Sequence, residues 1–281
     1  MMAHADKVMI VTGATNGIGL ITARELAATG ARVVLVGRSA RRLADTVALI
    51  TQQTPAANLD TIQADLSSQA DVLAVADTIK QRYDHIDVLL NNAGAFFTEH
   101  QLSVDGIEMT WALNHMAPFL LTTTLLDLLR ASAPARIITV ASAAHQGATI
   151  NFDDLEGKTR FSGWKAYAQS KLANIMFTYE LANRLLDSDV TANCLHPGFV
   201  ATGFAQNNPG WFAKAFAVMQ RYMAITPEKG AETSIFLARS DSVATTTGRY
   251  FDKCKPVPSS KISYDVTTQR RLWQQSLNMV K

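Results

Sequence analysis

Short runs of β-branched and aliphatic residues alternate with amphipathic stretches along most of the chain. This alternation limits the fold more than any other feature. Val8 to Thr12 is almost entirely apolar and stops at Gly13, as a strand buried on both faces does. Residues 17–29 follow, with Ile18, Ile21, Leu26 and Ala27 apolar and Gly30 at the end. That predicts a helix closed by a glycine. The pattern repeats. Strands are expected at 31–37, with a third ending over 62–65, then at 86–90, 135–142, 190–195 and at Tyr250 and Phe251. Helices are expected at 41–53, 68–82, 164–186 and 226–238. A long helix is expected over 105–131, with its ladder broken locally at Pro118. Such alternation builds βαβ units and a parallel sheet. The expected fold is α/β: a doubly wound parallel sheet in three α/β/α layers. No linker or internal repeat divides the chain, so one domain over 1–281 is expected, with an insertion at about 199–225.

Composition narrows the function classes. The 281 residues are 48% hydrophobic and 18% charged, with a net charge of +2. That is the balance of a chain with a full core, not of a disordered one. Lys and Arg are scattered and lack interleaved aromatics, so no nucleic-acid partner is expected. Cys194 and Cys254 form no CxxC and no His/Cys cluster. Neither a disulfide framework nor a metal site is expected, and a reducing, cytoplasmic setting fits. The opening MMAHADKVMIVTG has no signal-peptide pattern, and no apolar run is long enough to span a bilayer. Peripheral membrane contact and oligomer formation stay open.

The first turn reads TGATNGIG, Thr12 to Gly19, between a strand and a helix. Free N–H groups and the dipole at a helix N-terminus attract anions. Glycines there allow close approach of a pyrophosphate, as in Rossmann folds. The spacing is TGxxxGxG rather than GxGxxG. The second strand ends at Arg38, with Arg41 and Arg42 following. An acidic residue at that place suits a ribose 2′-hydroxyl, whereas Arg suits a 2′-phosphate. The expected cofactor is therefore NADP(H) rather than NAD(H), with Arg38 as the discriminating residue.

In AYAQSKLAN, Ala166 to Asn174, Tyr167 and Lys171 stand four apart on an expected helix and share one face. A nearby cation stabilises a phenolate, so Lys171 is expected to lower the pKa of Tyr167. A phenol tuned in this way exchanges a proton with a carbonyl or alcohol. Ser142, at the C-terminal end of the fifth strand, is placed to stabilise charge developing on a substrate oxygen. His196 reads as a packed strand-end histidine; His115 and His145 receive no role.

With TGATNGIG, NNAG at Asn91 to Gly94, Asn114, Ser142, Tyr167, Lys171 and Pro197-Gly198 in order, the chain resembles the short-chain dehydrogenase/reductases of the classical type. The match runs from about Lys7 to about Phe251. The segment INFDDLEGKTRFSGWKA between Ser142 and Tyr167, PEKGAETSIFLA and the tail GRYFDKCKPVPSSKISYD resemble the retinol dehydrogenase-like subgroup, which includes the reductase domain of WW-domain oxidoreductases. The resemblance implies a catalytic set of Asn114, Ser142, Tyr167 and Lys171, with Asn114 holding a water in a proton relay. It implies a cofactor-binding set of Gly13, Thr15, Asn16, Gly17, Ile18, Gly19, Arg38, Asp65, Leu66, Asn92, Ala93, Gly94, Tyr167, Lys171, Pro197, Gly198, Val200 and Thr202. Within it, Asp65 is expected at the adenine, Asn92 near the adenosine ribose, Lys171 at the nicotinamide ribose, and Val200 and Thr202 at the carboxamide.

By the same resemblance, residues 199–225 form a lid over the substrate. Phe212, Phe216, Met219 and Met223 recur there at helical spacing. Such a face lines a pocket for a lipophilic aldehyde or ketone and its alcohol, or else packs as core or joins another subunit. The expected activity is NADP(H)-dependent hydride transfer to a small-molecule carbonyl. The alternative is a nucleotide-binding sensor or scaffold without turnover.

Overall fold

The computed structural model describes residues 4–198 and 225–280. The chain runs β1 Val8–Thr12, α1 Gly17–Ala27, β2 Arg32–Gly37, α2 Ala40–Gln53, β3 Asn58–Gln63, α3 Gln69–Arg82 and β4 Val88–Asn91. Then come α4 Met109–Trp111, a π-helical segment Ala112–Met116, α5 Ala117–Thr124, α6 Leu126–Ala131 and β5 Ala135–Val140. After them follow α7 Gly163–Arg184, β6 Val190–His196, α8 Pro227–Arg239, β7 Arg249–Asp252, β8 Lys255–Val257 and α9 Val266–Met279.

The strands form one sheet of order β3-β2-β1-β4-β5-β6-β7-β8. Every pairing is parallel except β7 with β8. Side chains alternate across a strand, and here both faces are covered. Val8, Ile10, Val34 and Val36 join the core under α3, α5 and α7, while Met9, Val11, Val33 and Leu35 join the core under α1, α2 and α8. The order reverses between β1 and β4, which opens a crevice at the C-terminal ends of the strands.

The structure corrects three expectations. The helix expected from residue 105 starts at Met109, because the Glu108 carboxylate accepts from Thr110 N and Trp111 N, each at 2.9 Å. Asp105 instead accepts from Gln69 N at 2.8 Å, at the start of α3. The break expected at Pro118 lies before it, in the π-helical segment. Pro118 itself sits in the first turn of α5, where a missing N–H costs little. The third strand covers 58–63, with polar Asp60 held at this sheet edge by Arg32 and Tyr83.

Two elements were not expected. The strand β8 contains Pro256 and lies on the sheet edge, where proline is tolerated. Its hairpin turns through Lys253 and Cys254, both at positive φ. The helix α9 is mostly polar and buries Trp273 against Phe119 and Phe177, with ring centroids at 5.1 and 5.8 Å. Among the described residues, no helix is long and apolar enough to cross a membrane.

Candidate active site

The sheet brings the expected residues to one edge. Gly13, Thr15 and Asn16 lie in the turn after β1, and Gly17, Ile18 and Gly19 form the first turn of α1. Arg38 follows β2, Asp65 and Leu66 follow β3, and Asn92, Ala93 and Gly94 follow β4. Ser142 follows β5, and Pro197 and Gly198 follow β6. Val200, Thr202 and the expected lid helix lie outside the described residues.

The glycine turn is built by close packing. Gly13 and Gly17 take positive φ of 64° and 52°. A Cβ on Gly13 would fall 2.9 Å from Ala93 Cα, and one on Gly37 2.9 Å from Thr15 Cγ2. Thr12 Oγ1 accepts from the backbone N–H of Asn92 and of Ala93 at 2.9 and 3.0 Å. Asn92 Nδ2 donates to Thr12 O at 2.8 Å and to Gly13 O at 3.2 Å. The Asn92 amide expected at a ribose thus ties the two loops together. Asn16 caps α1 without a side-chain hydrogen bond, so the first-turn N–H groups remain for another acceptor. This is a fitting cradle for a pyrophosphate.

Leu66 buries its side chain in the core with Val72 and Leu120, and Ile18 packs beside Ile235 of α8. Arg38 is 72% exposed, with Nη1 4.0 Å from Asp65 Oδ2. The other Asp65 oxygen accepts from Ser67 N and Oγ at 3.0 and 2.7 Å.

Asn114 lies fully buried in the π-helical segment, a geometry frequent at functional sites. Its Oδ1 accepts from Ala95 N at 2.8 Å, and its Nδ2 donates to Ala95 O at 2.9 Å and to Ser170 Oγ at 3.1 Å. The side chain therefore anchors the chain beyond NNAG. A Cβ on Gly94 would come within 3.1 Å of Asn114 Oδ1 and 3.3 Å of Lys171 Nζ. A larger residue there would press on both side chains.

Tyr167 and Lys171 both point inward from α7, 8% and 4% exposed. The Tyr167 hydroxyl is hydrogen-bonded to Ser142. Ser142 Oγ also accepts from Ala144 N at 3.2 Å. Phe96 and Trp164 flank the Tyr167 ring, at centroid distances of 5.9 and 6.2 Å. Lys171 Nζ donates to Val140 O at 3.1 Å and sits 5.6 Å from the centroid of the Tyr167 ring.

The expected electrostatics are reversed. Burial pushes the Tyr167 phenol up to about 12, opposed by the Ser142 hydrogen bond. Burial pulls the Lys171 ammonium down to about 8. Spacing of i and i+4 puts both groups on one face, with Nζ 5.6 Å from the ring centroid, but desolvation is the largest influence on each. At neutral pH the phenol holds its proton.

Sequence reasoning missed four supporting side chains. Ser170 Oγ donates to Tyr167 O at 2.7 Å, and Asn174 Nδ2 to Val140 O at 3.4 Å. Both stand in AYAQSKLAN at helical spacing from Tyr167, a signal that was there to use. His196 Nδ1 accepts from Ala143 N at 3.1 Å, and His145 contacts the Ser142 carbonyl. No spacing in the sequence signals either contact.

Comparison with known proteins agrees with this geometry. The sequence profile of the family described as short chain dehydrogenase matches residues 7–211. The chain is 38% identical to retinol dehydrogenase 14 of Mus musculus, over 98% of this chain and 86% of that protein. It is 38% identical to retinol dehydrogenase 13 of Homo sapiens, over 98% and 84%. Its fold is similar to an uncharacterized protein from Mycobacterium Paratuberculosis, with TM-score 0.79 and 31% identity, covering 98% and 93% of the two chains. It is also similar to a short chain dehydrogenase from Burkholderia cenocepacia solved in complex with NADP, with TM-score 0.70 and 25% identity, covering 89% and 97%.

Proposed function

Because the chain belongs to the short-chain dehydrogenase/reductase family, in its retinol dehydrogenase-like subgroup, we propose that it reduces a lipophilic aldehyde or ketone with NADPH. The single observation that carries this reading is the buried Tyr167 hydroxyl, hydrogen-bonded to Ser142 with the Lys171 ammonium at the same ring.

When bound, the dinucleotide supplies the hydride. The protein supplies the proton and the positioning. A phenol held protonated at working pH is an acid, so Tyr167 is poised to protonate an oxygen as charge grows on it. Ser142 donates to the same oxygen and stabilises that charge. An ammonium has three N–H donors; Val140 takes one, and the others are available to ribose hydroxyls. Arg38, exposed at the end of β2, meets a 2′-phosphate with its guanidinium fork. The rings of Phe96 and Trp164, the latter 62% exposed, favour an apolar substrate. We place the protein in the cytoplasm, as one folding unit over its whole length.

This reading has a pH signature. In the free enzyme Lys171 loses its charge as pH rises through about 8, while Tyr167 keeps its proton up to about 12. The kcat/KM for NADPH, which reports free-enzyme groups, should be level near neutrality and fall on the alkaline side. Lys171→Arg, which stays charged, should lack that fall. A wild-type profile level through the alkaline range would contradict the role of Lys171.

The direct test is a panel of lipophilic aldehydes and ketones assayed with NADPH and with NADH at the cofactor absorbance. Turnover that prefers NADPH is expected. Cofactor binding with no turnover across the panel would make the protein a sensor instead.

A further inference from the structure

The short 3₁₀ turn Ala143–His145, directly after Ser142, carries a histidine that is completely buried. His145 Nε2 receives a hydrogen bond from the backbone N–H of Ser260 at 3.1 Å. His145 Nδ1 lies 2.6 Å from the Ser142 carbonyl oxygen. A backbone N–H only donates and a carbonyl only accepts. The neutral ring therefore carries its hydrogen on Nδ1 and its lone pair on Nε2. Burial, opposed by the hydrogen bond to Ser142, also keeps His145 below the ordinary histidine range, which favours this neutral form.

The Ser142 carbonyl is thus gripped twice, by His145 Nδ1–H and by the His145 backbone N–H at 3.2 Å. The far end of the ring is tied to a segment that is itself fixed. Ser263 Oγ donates to Ser260 O at 2.6 Å, Ser263 and Ser259 hydroxyls pair at 2.6 Å, and Ser259 Oγ pairs with the Tyr179 hydroxyl at 2.7 Å. Tyr179 belongs to α7, the helix that carries Tyr167. The path runs from the Ser142 peptide through His145 and the tail segment back to the helix of its hydroxyl partner.

We propose that His145 is a positioning residue, whose Nδ1–H sets the Ser142 peptide and so aims the Ser142 hydroxyl at the point reached by Tyr167. This rests on the proposed reading of Ser142 as a group that meets the substrate. The effect is on alignment, where a displacement of about 1 Å can cost up to roughly 100-fold in rate.

Two variants separate this role from packing. His145→Asn keeps an N–H donor near the Nδ1 position and loses the acceptor for Ser260. His145→Gln keeps an acceptor for Ser260 and loses the donor to Ser142. Each gives up one hydrogen bond, so their thermal stabilities should fall alike. The His145→Asn kcat should stay within about threefold of the parent, while His145→Gln should lose about tenfold with its KM for NADPH unchanged. Imidazole nitrogen NMR of the full chain, with His145→Gln as the assignment control, should show His145 protonated on Nδ1. Equal kcat losses in the two variants, or a ring protonated on Nε2, would overturn the proposal. If the parent protein turns over no carbonyl, the proposed function fails, and the NMR readout alone then decides the contact.

Discussion

Tyr167→Phe should lose about 10²- to 10⁴-fold in kcat, the range expected when a general acid is removed. The substitution deletes one oxygen. The ring keeps its edge contact with Phe96, its neighbour Trp164 and the Lys171 ammonium beside it. The backbone link from Ser170 to Tyr167 O is untouched, and so are the glycine turn and Arg38. NADPH affinity, measured by fluorescence titration, should therefore stay within about twofold, since hydrogen bonds remote from the change are unaffected. Steady-state kinetics on the best substrate of the panel checks the rate. A variant retaining most of the parent kcat would falsify the assignment of the proton donor.

The second large effect is on cofactor choice. Arg38→Ala should weaken NADPH by about 10- to 150-fold, the fold-change that corresponds to losing about 1.5–3 kcal/mol of charge-assisted hydrogen bonding. NADH lacks the 2′-phosphate, so its affinity should hardly change. The arginine side chain is mostly exposed, and its nearest approach to Asp65 is the 4.0 Å between Nη1 and Oδ2. Such a contact is worth little in water, so truncation should leave the fold intact. Titrations with the two cofactors side by side check the difference. Equal weakening of both would mean that Arg38 does not read the phosphate.

The sheet was legible because its central strands are buried on both faces and appear as continuous apolar runs. Val8 to Thr12 and Arg32 to Gly37 are of this kind. The helix α9 was not legible. Its inner face rests on few apolar residues, chiefly Leu272 and Trp273, and its remaining hold on the body includes Arg184 stacked over Trp273 at 4.3 Å and a hydrogen bond between His115 and Ser276. None of these partners is near it in sequence. The start of α4 depended on where the Glu108 carboxylate turns, which periodicity cannot show.

The candidate site divides the same way. Short motifs and their order brought Gly13, Asn92, Asn114, Ser142, Tyr167 and Lys171 to one crevice, because βα loops of a parallel sheet share an edge. Helical spacing put Tyr167 and Lys171 on one face but carried no information on burial, and burial sets the direction of both pKa shifts. The grip of His145 on Ser142 closes through Ser260, far along the chain. That contact exists only once the tail has packed.

The most direct measurement is isotope transfer from NADPH deuterated at the nicotinamide C4, using the preferred aldehyde of the panel and mass spectrometry of the alcohol formed. Deuterium should appear on the carbinol carbon with the parent protein, and the same product should be almost absent with Tyr167→Phe. An alcohol formed without deuterium from either face-labelled cofactor, or formed as readily by the phenylalanine variant, would contradict the account.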